Sequence, residues 1–296
     1  MEGAGAGPDA AMSATVTTGA TAADLASGKG HTDENFPVAS MLVAPRYRAP
    51  IMAFYRFARL ADDIADHPTT SADERLARLE AMRAGIVGTS DAEPSAVALR
   101  ETMATRGLDP VHALDLLEAF RRDCTINRYA SWDDLIDYCR HSAMPVGRFV
   151  LDVHGEDRTL WPANDALCAA LQVVNHLQDC AKDYRALDRV YLPQDLLAAA
   201  GARTEDLAGE RATPALRRVI AACAERCQHL LADAAPFARR IADRRLGIEV
   251  AVIQRLAVSL AARLRRRDPL SERVHHGKGE ALLLASGAAL GRLVAR

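Results

Sequence analysis

Apolar residues recur every three or four positions along nearly all of the chain after residue 30, which is the spacing of one face of an α-helix. Alanine, leucine and arginine are abundant and runs of β-branched residues are short, and both features favour helix over strand. Residues 189–193 form at most a short extended segment. The spacing therefore predicts an all-α fold, with helices at about residues 37–44, 48–66, 71–86, 94–105, 109–124, 131–153, 163–185, 193–199, 213–232, 236–265 and 278–294.

The expected helix boundaries are marked by proline, glycine and capping residues. Pro45 and residues 88–90 and 161–162 are among the signals for a break. Asn164 or Asp165 is expected to cap the helix that follows residues 161–162. The chain contains no fixed-period repeat and no linker long enough to separate domains, so we expect one helical domain.

Residues 1–30 differ in composition from the rest of the chain. They are rich in Ala, Gly, Thr and Ser, and Lys29 is their only basic residue. A secretory signal peptide needs a basic start and a compact apolar stretch, and this segment has neither. We expect residues 1–30 to be a disordered tail, because they have too few large apolar side chains to join a core. The helical domain is then expected to cover residues 31–296.

Composition and charge limit the classes of partner. The chain has 296 residues, of which 49% are hydrophobic, so it can bury a large core. Its formal net charge of −2 argues against nucleic acid as the main partner. It has no run of eighteen apolar residues, so no transmembrane helix is expected. One cluster of arginines is either a solvated helix end or a contact for an anionic membrane surface, namely Arg263, Arg265, Arg266 and Arg267.

The cysteines indicate a reducing environment. Six cysteines are scattered through helix-like sequence without a CxxC pair, which is typical of reduced thiols in a cytoplasmic protein. Cys223 and Cys227 lie one helical turn apart with His229 nearby, so they are either buried structural thiols or half of a zinc site. No second ligand pair is evident, which favours buried thiols.

An acidic stripe is expected on the first long helix. Tyr55, Arg59, Asp62 and Asp66 are spaced so that they stack on one face of a helix whose other positions are largely apolar. Aspartates one turn apart repel each other by about 0.2–0.5 kcal/mol, so a cation that neutralises them favours the stack. Arginine beside paired aspartates can hold a phosphate oxygen while the carboxylates hold a metal. The alternative is an ordinary surface stripe with an intrahelical ion pair.

A second polar stripe is expected on a later helix. Gln172, Asn175, Asp179 and Asp183 are spaced three, four and four residues apart, and fall within an arc of about 80°. Taken alone, this pattern is also typical of a plain amphipathic helix, and His176 at its edge is more typical of a satisfied histidine than of a ligand. Amide and carboxylate oxygens are, however, the ligands that Mg²⁺ prefers. Two such stripes facing each other indicate a metal-dependent diphosphate enzyme.

The order of these motifs resembles that of the squalene/phytoene synthase family, the head-to-head prenyl synthases. The resemblance runs from about residue 35 to residue 275 and includes both stripes and the segments 138–147 and 188–193. Within the family, residues 34–40 and 142–147 look closest to the bacterial hydroxysqualene synthase branch of hopanoid biosynthesis. Gln178 stands where phytoene and squalene synthases of the family usually have arginine, which also favours that branch.

The resemblance implies a single isoprenoid-synthase domain, a helical bundle around a central cavity. The implied ligands of two or three Mg²⁺ ions and the diphosphate are Asp62, Asp66, Asn175, Asp179 and Asp183. Further contacts to the diphosphate are implied for Tyr55, Arg59 and Arg189. The implied cavity-lining residues are Phe36, Tyr138, Gly147 and Gln172. Tyr138 matches a tyrosine often assigned to proton handling, so the implied catalytic residues are Tyr138, Asp62, Asp66, Asp179 and Asp183.

The implied activity converts presqualene diphosphate and water to hydroxysqualene and diphosphate, with no need for NADPH. Loss of diphosphate leaves a C30 cation, which a dry apolar cavity must protect until one water is admitted. The implied partners are the isoprenoid diphosphate substrate and the pathway enzymes that make presqualene diphosphate and reduce hydroxysqualene. A peripheral contact with the inner face of the membrane is also expected.

Three other functions are compatible with parts of the pattern. The nearest is condensation of two farnesyl diphosphates to presqualene diphosphate or squalene, or of two geranylgeranyl diphosphates to phytoene. A non-catalytic scaffold is disfavoured because all five acidic and amide positions are present. A di-iron helical bundle needs two ExxH motifs, and only residues 272–275 fit one.

Overall fold

The computed structural model describes residues 43–294 of the chain. Its helices are α1 (Pro45–Ala65), α2 (Ala72–Val87), α3 (Pro94–Ala104), α4 (Val111–Asp123), α5 (Trp132–Ser142), α6 (Met144–His154), α7 (Trp161–Leu187), α8 (Gln194–Ala200), α9 (Pro214–Asp233), α10 (Phe237–Arg240), α11 (Arg244–Leu264) and α12 (Lys278–Val294), with 3₁₀ turns at Arg158–Leu160 and Thr204–Ala208. Within this range the only β-type pairing is an isolated bridge between Arg128 and Val190. The all-α prediction is confirmed. Phe36, the predicted helix 37–44 and the predicted tail 1–30 lie outside the described residues.

The helices enclose two apolar clusters that meet at α6. Helices α1 to α4 supply most of the first cluster, and α5 and α7 to α11 supply most of the second. Phe149 of α6 belongs to the first cluster and Leu151 to the second, while Val150 packs against both. Apolar contact is therefore continuous between the two halves. None of the described helices is long and apolar enough to cross a membrane.

Two prolines shape the start of α1, which carries the first acidic stripe. Pro45, expected to separate two helices, is instead the first residue of α1, a position that has no intrahelical acceptor for its N–H. Pro50 lies inside the helix and cannot donate to the carbonyl of Arg46 four residues earlier. The guanidinium of Arg106 donates to that carbonyl at 2.7 Å. Because this bond replaces the lost one, α1 continues to the acidic residues at its C-terminus.

Two predicted helices are each divided in the structure. Residues 131–153 form α5 and α6, since Pro145 cannot donate a hydrogen bond to the preceding turn and the chain restarts at Met144. Residues 236–265 form α10 and α11, because Ile241 is extended and Asp243 caps the second helix. The Asp243 carboxylate accepts bonds from the backbone N–H groups of Arg245 and Leu246 at 2.9 and 3.0 Å. In both places the apolar spacing continues across the break, which is why the sequence pattern predicted a single helix.

Helix α7 carries the second stripe and begins earlier than predicted. It starts at Trp161 and runs for 27 residues, a length of about 40 Å. Asn164 and Asp165, the expected caps, lie inside it. Asn164 is buried with its amide nitrogen 3.4 Å from the Met144 carbonyl, and Asp165 forms an ion pair with Arg148. Both side chains hold α6 against α7.

The cysteines in the core fit the structural interpretation. All six are free, and Cys223 and Cys227 are fully buried in the second apolar cluster. Burial raises the pKa of the Cys223 thiol to about 12, so it remains protonated. Among the described residues, neither Cys223 nor Cys227 belongs to a group of three or more His, Cys, Asp or Glu side chains that could hold a zinc ion. These two thiols pack as apolar core residues.

The close approach of α6 to α7 at Gly147 generates a stability prediction. A Cβ at Gly147 would lie 2.1 Å from Asn164 Oδ1 and 2.7 Å from Cys168 Sγ. We expect Gly147→Ala to lower the free energy of unfolding by about 1–3 kcal/mol, because packed side chains must move. Gly287→Ala in α12 is the matched control, since no atom lies within 4 Å of the added methyl group. In urea unfolding, Gly287→Ala should be as stable as the wild type or about 1 kcal/mol more stable. Equal urea midpoints for Gly147→Ala and Gly287→Ala would contradict the close contact at Gly147.

Candidate active site

A cavity of about 630 Å³ lies between α1, α4, α5, α7 and the segment that follows α7. This volume is in the range of small-molecule sites. Its walls carry a majority of polar and aromatic side chains, which are Tyr55, Arg59, Asp62 and Asp66 from α1, Asp123 and Phe120 from α4, Tyr138 and Ser142 from α5, Gln172, Asn175, His176, Asp179, Lys182 and Asp183 from α7, and Arg189 and Tyr191 beyond it, with Ala58 and Leu187 completing the lining.

The structure brings most of the predicted site residues to this one cavity. Those that line it are Tyr55, Arg59, Asp62, Asp66, Tyr138, Gln172, Asn175, Asp179, Asp183 and Arg189. Gly147 is the exception among the described residues, because it lies at the contact of α6 with α7 and is not part of the lining. Phe36 is outside the described residues.

On α1 a single arginine is shared between two aspartates. Arg59 donates to Asp62 at 2.9 Å and to the buried Asp63 at 2.7 Å. The pKa of Asp62 is raised to about 7, chiefly by burial and next by Asp66 one turn away, while Arg59 acts in the opposite direction. The 38% of the Asp62 side chain that remains accessible faces the cavity. The first stripe therefore holds more negative charge than its own arginine neutralises.

On α7 the carboxylates have weaker partners. Lys182 Nζ lies 3.6 Å from Asp179 Oδ2, but the lysine side chain is 70% exposed, and such a pair contributes little. His176 Nδ1 lies 3.9 Å from Asp183 Oδ2, and burial lowers the pKa of this histidine. The imidazole stacks on Tyr191 with ring centroids 3.3 Å apart. The second stripe thus presents Asp179 and Asp183 to the cavity with little compensating charge.

Arg189 connects the first stripe to α4 and to the end of α7. Its Nη1 lies 3.0 Å from Asp66 Oδ1, and its Nη2 donates to the backbone carbonyl of Asp123 at 3.0 Å. Its Nε is 3.9 Å from Asp123 Oδ1. The guanidinium is buried, so these interactions are screened little by water. Arg189 thus lines the same cavity as both stripes, and its partners are Asp66 at the C-terminal end of α1 and Asp123 of α4.

Asp123 is a site residue that the sequence interpretation missed. It is 5% exposed, and it accepts a hydrogen bond from the Tyr138 hydroxyl at 2.9 Å. Burial raises its pKa to about 7, although Arg189 and the Tyr138 hydrogen bond lower it. One signal was available: Asp123 continues the apolar face of α4 at the C-terminal end, where a carboxylate meets the unfavourable end of the helix dipole.

Three tyrosines cluster beside the acidic groups, and two of them, Tyr138 and Tyr191, line the cavity. The rings of Tyr129, Tyr138 and Tyr191 lie 5.2 to 5.8 Å apart. Burial raises the pKa of Tyr138 well above its usual value, and Asp123 adds to the effect. Tyr138 therefore remains a neutral phenol that donates to Asp123. The site combines an acidic mouth with a neutral aromatic wall.

The raised aspartate pKa values predict how stability depends on pH without metal. Between the usual value of 3.8 and about 7, the folded state keeps a proton on the buried Asp123 that the unfolded chain has lost; Asp62, whose side chain is 38% accessible and therefore screened by water, contributes less. The free energy of unfolding should therefore fall as pH rises through this window and level off above it. Asp123→Asn should reduce this slope, whereas Asp73→Asn on α2 should not. Urea unfolding in the presence of a chelator, at a series of pH values, measures how the free energy of unfolding depends on pH. The same dependence in Asp123→Asn as in the wild type would contradict the raised pKa of Asp123.

Comparisons with known proteins agree with this architecture. A model of the squalene/phytoene synthase family matches residues 29–280. The chain is 58% identical over 295 residues to the hydroxysqualene synthase of Zymomonas mobilis subsp. mobilis, covering 99% of both chains. It is 54% identical over 276 residues to the hydroxysqualene synthase of Rhodopseudomonas palustris, covering 93% of this chain and 94% of the relative. The crystal structure of squalene synthase HpnC from Alicyclobacillus acidocaldarius matches with a TM-score of 0.70 and 35% identity, over 83% of this chain and 92% of that one. The chain belongs to the squalene/phytoene synthase family.

Proposed function

We propose that this protein is a Mg²⁺-dependent hydroxysqualene synthase, a carbon–oxygen lyase that converts presqualene diphosphate and water to hydroxysqualene and diphosphate. The observation that carries the proposal is the meeting of both acidic stripes, Arg59 and Arg189 in one cavity with an aromatic wall. The identity of 54–58% to two hydroxysqualene synthases over nearly the whole chain supports this choice within the family.

The charge of the cavity supports a role for divalent cations. Five aspartates line it against only three cationic side chains, Arg59, Lys182 and Arg189. A diphosphate alone would be repelled by this surplus, so cations must accompany it. The oxygen ligands on the two walls fit Mg²⁺, which keeps some of its waters and shares phosphate oxygens. The residues proposed to hold it are Asp62, Asp66, Asn175, Asp179 and Asp183.

The side chains around the cavity then have distinct roles in the reaction. Bound Mg²⁺ would neutralise the charge that develops on the departing diphosphate. Arg59 and Arg189 orient the aspartates and lie near enough to the stripes to contact diphosphate oxygens. The rings of Tyr138, Tyr191 and Phe120 line the cavity and can stabilise a carbocation by their π faces. The Tyr138 hydroxyl keeps its proton and donates it in a hydrogen bond to the Asp123 carboxylate, which fixes the orientation of the phenol in the cavity.

The overall reaction requires water as the only co-substrate. The C–O bond to diphosphate breaks, the cation rearranges, and water adds at one carbon with loss of a proton, so no electrons are transferred. NADPH is therefore not part of the proposed reaction. We place the enzyme in the cytoplasm, between an enzyme that makes presqualene diphosphate and one that reduces hydroxysqualene.

Condensation of two prenyl diphosphates remains a second candidate. The specific observation in its favour is the 35% identity to squalene synthase HpnC from Alicyclobacillus acidocaldarius. Condensation would use the same acidic cavity but two diphosphate substrates, so product analysis separates the two activities.

The oxygen of the product tests the proposed reaction. Purified protein with Mg²⁺ and presqualene diphosphate in heavy-oxygen water should release diphosphate and give a C30 alcohol with one labelled oxygen. Adding a nicotinamide reductant should change neither product nor rate, because the balanced reaction has no reduction. Mass spectrometry of the products provides the measurement. Conversion of farnesyl diphosphate to presqualene diphosphate, or of geranylgeranyl diphosphate to phytoene, would favour the second candidate.

Substitution of one aspartate on each stripe tests the metal assignment. Asp62→Asn and Asp179→Asn should fold normally and lose at least about a hundredfold in turnover, because several kcal/mol of transition-state stabilisation depend on the ions. Asp73→Asn, exposed on α2, should behave as the wild type. Titration with MgCl₂, followed by diphosphate release and thermal unfolding, is the measurement. Near-normal turnover of either stripe variant at saturating Mg²⁺ would refute the assigned roles.

A further inference from the structure

The outward face of α12 is apolar although it is in contact with solvent. Four of its leucines expose 50–74% of their surface, and we call them the leucine face: Leu282, Leu283, Leu290 and Leu293. Ser286 and Gly287 lie between them on the same side of the helix. A surface helix normally has charged residues on its outward side, and four grouped leucines are typical of a contact with an apolar phase.

Two charged residues of α12, Glu280 and Arg292, are turned away from this face. Glu280 forms an ion pair with Arg263 of α11. Arg292 donates to the backbone carbonyls of Ala238 at 3.0 Å and Ile241 at 3.3 Å, on the inner side of the helix. These bonds fix α12 against α10 and α11, so the leucine face cannot turn inward without breaking them.

Unpaired cations lie next to α12. A groove of about 390 Å³ between α9, α10, α11 and α12 is lined by Arg239, Arg255 and Arg292 and by no acidic side chain. Arg239 and Arg255 are exposed and form no ion pair with any described residue, and the same is true of Lys278 at the start of α12. The surroundings of the leucine face are therefore positively charged and lack internal compensation.

The arginine cluster that the sequence offered as a membrane contact has a different environment. Arg265 Nη2 lies 3.3 Å from Glu225 Oε1. Arg267 Nη2 lies 2.5 Å from Glu272 Oε2. Arg263 forms an ion pair with Glu280. Most of its charge is neutralised by neighbouring carboxylates. This cluster is a solvated helix end, and the free positive charge lies around α12 instead.

We propose that the leucine face, with Arg239, Arg255 and Lys278 beside it, docks onto an anionic lipid bilayer. This inference rests on the proposed function, since the substrate and product of that reaction carry C30 hydrocarbon chains that partition into lipid. With 17 residues α12 is about 25 Å long, and it binds lying in the interface with its leucines among the acyl chains. The cations contact anionic headgroups. A second copy of the chain fits the face less well, because a twofold contact would bring the same unpaired cations together.

Vesicle binding of the full-length protein tests the proposal. Leu283→Gln/Leu290→Gln should weaken binding to phosphatidylcholine vesicles containing phosphatidylglycerol by about tenfold or more, because two buried leucine side chains are lost from the bilayer. Arg239→Gln/Arg255→Gln should weaken binding to these vesicles but not to neutral ones, and added salt should abolish the difference. The matched controls are Val87→Gln/Val111→Gln, at exposed valines elsewhere, and Arg266→Gln. Equal vesicle binding by the leucine variant and the wild type would overturn the proposal.

Activity and stability measurements separate this proposal from its alternatives. With presqualene diphosphate dispersed in detergent, all these variants should match the wild type, whereas with vesicle-embedded substrate the leucine variant should be slower. If no protein forms product in detergent, the proposed function has failed, and vesicle binding still decides the docking surface. A fall in mass by sedimentation in the leucine variant would identify a dimer interface. A loss of several degrees in melting temperature would identify a face covered by residues 1–42, and either result would overturn the proposal.

Discussion

Arg189 carries the interaction on which the site depends, because its buried guanidinium lies between Asp66 of α1 and Asp123 of α4. It follows α7 directly in the chain, so it connects the helix of the second stripe to the helix of the first. Burying ions costs several kcal/mol each, and removal of one partner leaves the other uncompensated. The relative positions of the two acidic stripes are therefore held by an interaction that a surface ion pair could not replace.

The same interaction sets the limits of charge compensation in the cavity. Arg59 is divided between Asp62 and Asp63, and Arg189 between Asp66 and Asp123, so neither cation is left over for Asp179 or Asp183. Burial is the main cause of the raised pKa values of Asp62 and Asp123, and the nearby Asp66 adds to the rise in both, while Arg59 and Arg189 oppose it. Bound cations would reduce the repulsion among these carboxylates. The packing of the helices, which brings the carboxylates together, therefore favours the proposed binding of Mg²⁺ with diphosphate.

Contacts outside the cavity support the two helices that carry the acidic stripes. Arg106 replaces the hydrogen bond lost at Pro50, so α1 reaches its acidic end without a break. Gly147 lets α6 approach α7 closely, and α6 joins the two apolar clusters. Of its residues that the structure describes, helix α12 contributes none to the buried core and keeps four leucines exposed. The residues that line the cavity and the leucines that are exposed on the surface therefore lie on different helices.

Helix periodicity made much of this protein predictable from its sequence. Residues three or four apart on a helix share a face whatever the helix packs against, so spacing alone identifies the stripe of Tyr55, Arg59, Asp62 and Asp66 and that of Asn175, Asp179 and Asp183. The all-α class followed from the same spacing. The family motifs then supplied Tyr138 and Arg189, which belong to neither stripe.

What remained depended on contacts between residues distant in sequence. The bond from Tyr138 to Asp123 spans 15 residues and that from Arg189 to Asp123 spans 66, and no local pattern encodes either. From its sequence, Gly147 could line the cavity or lie where two helices touch. The packing of α7 against it shows that it lies at a contact between helices. Whether the apolar residues of α12 are buried was likewise open, since periodicity identifies an apolar face but not its neighbour. Local spacing determines which side chains share a surface, and only tertiary packing decides what that surface meets.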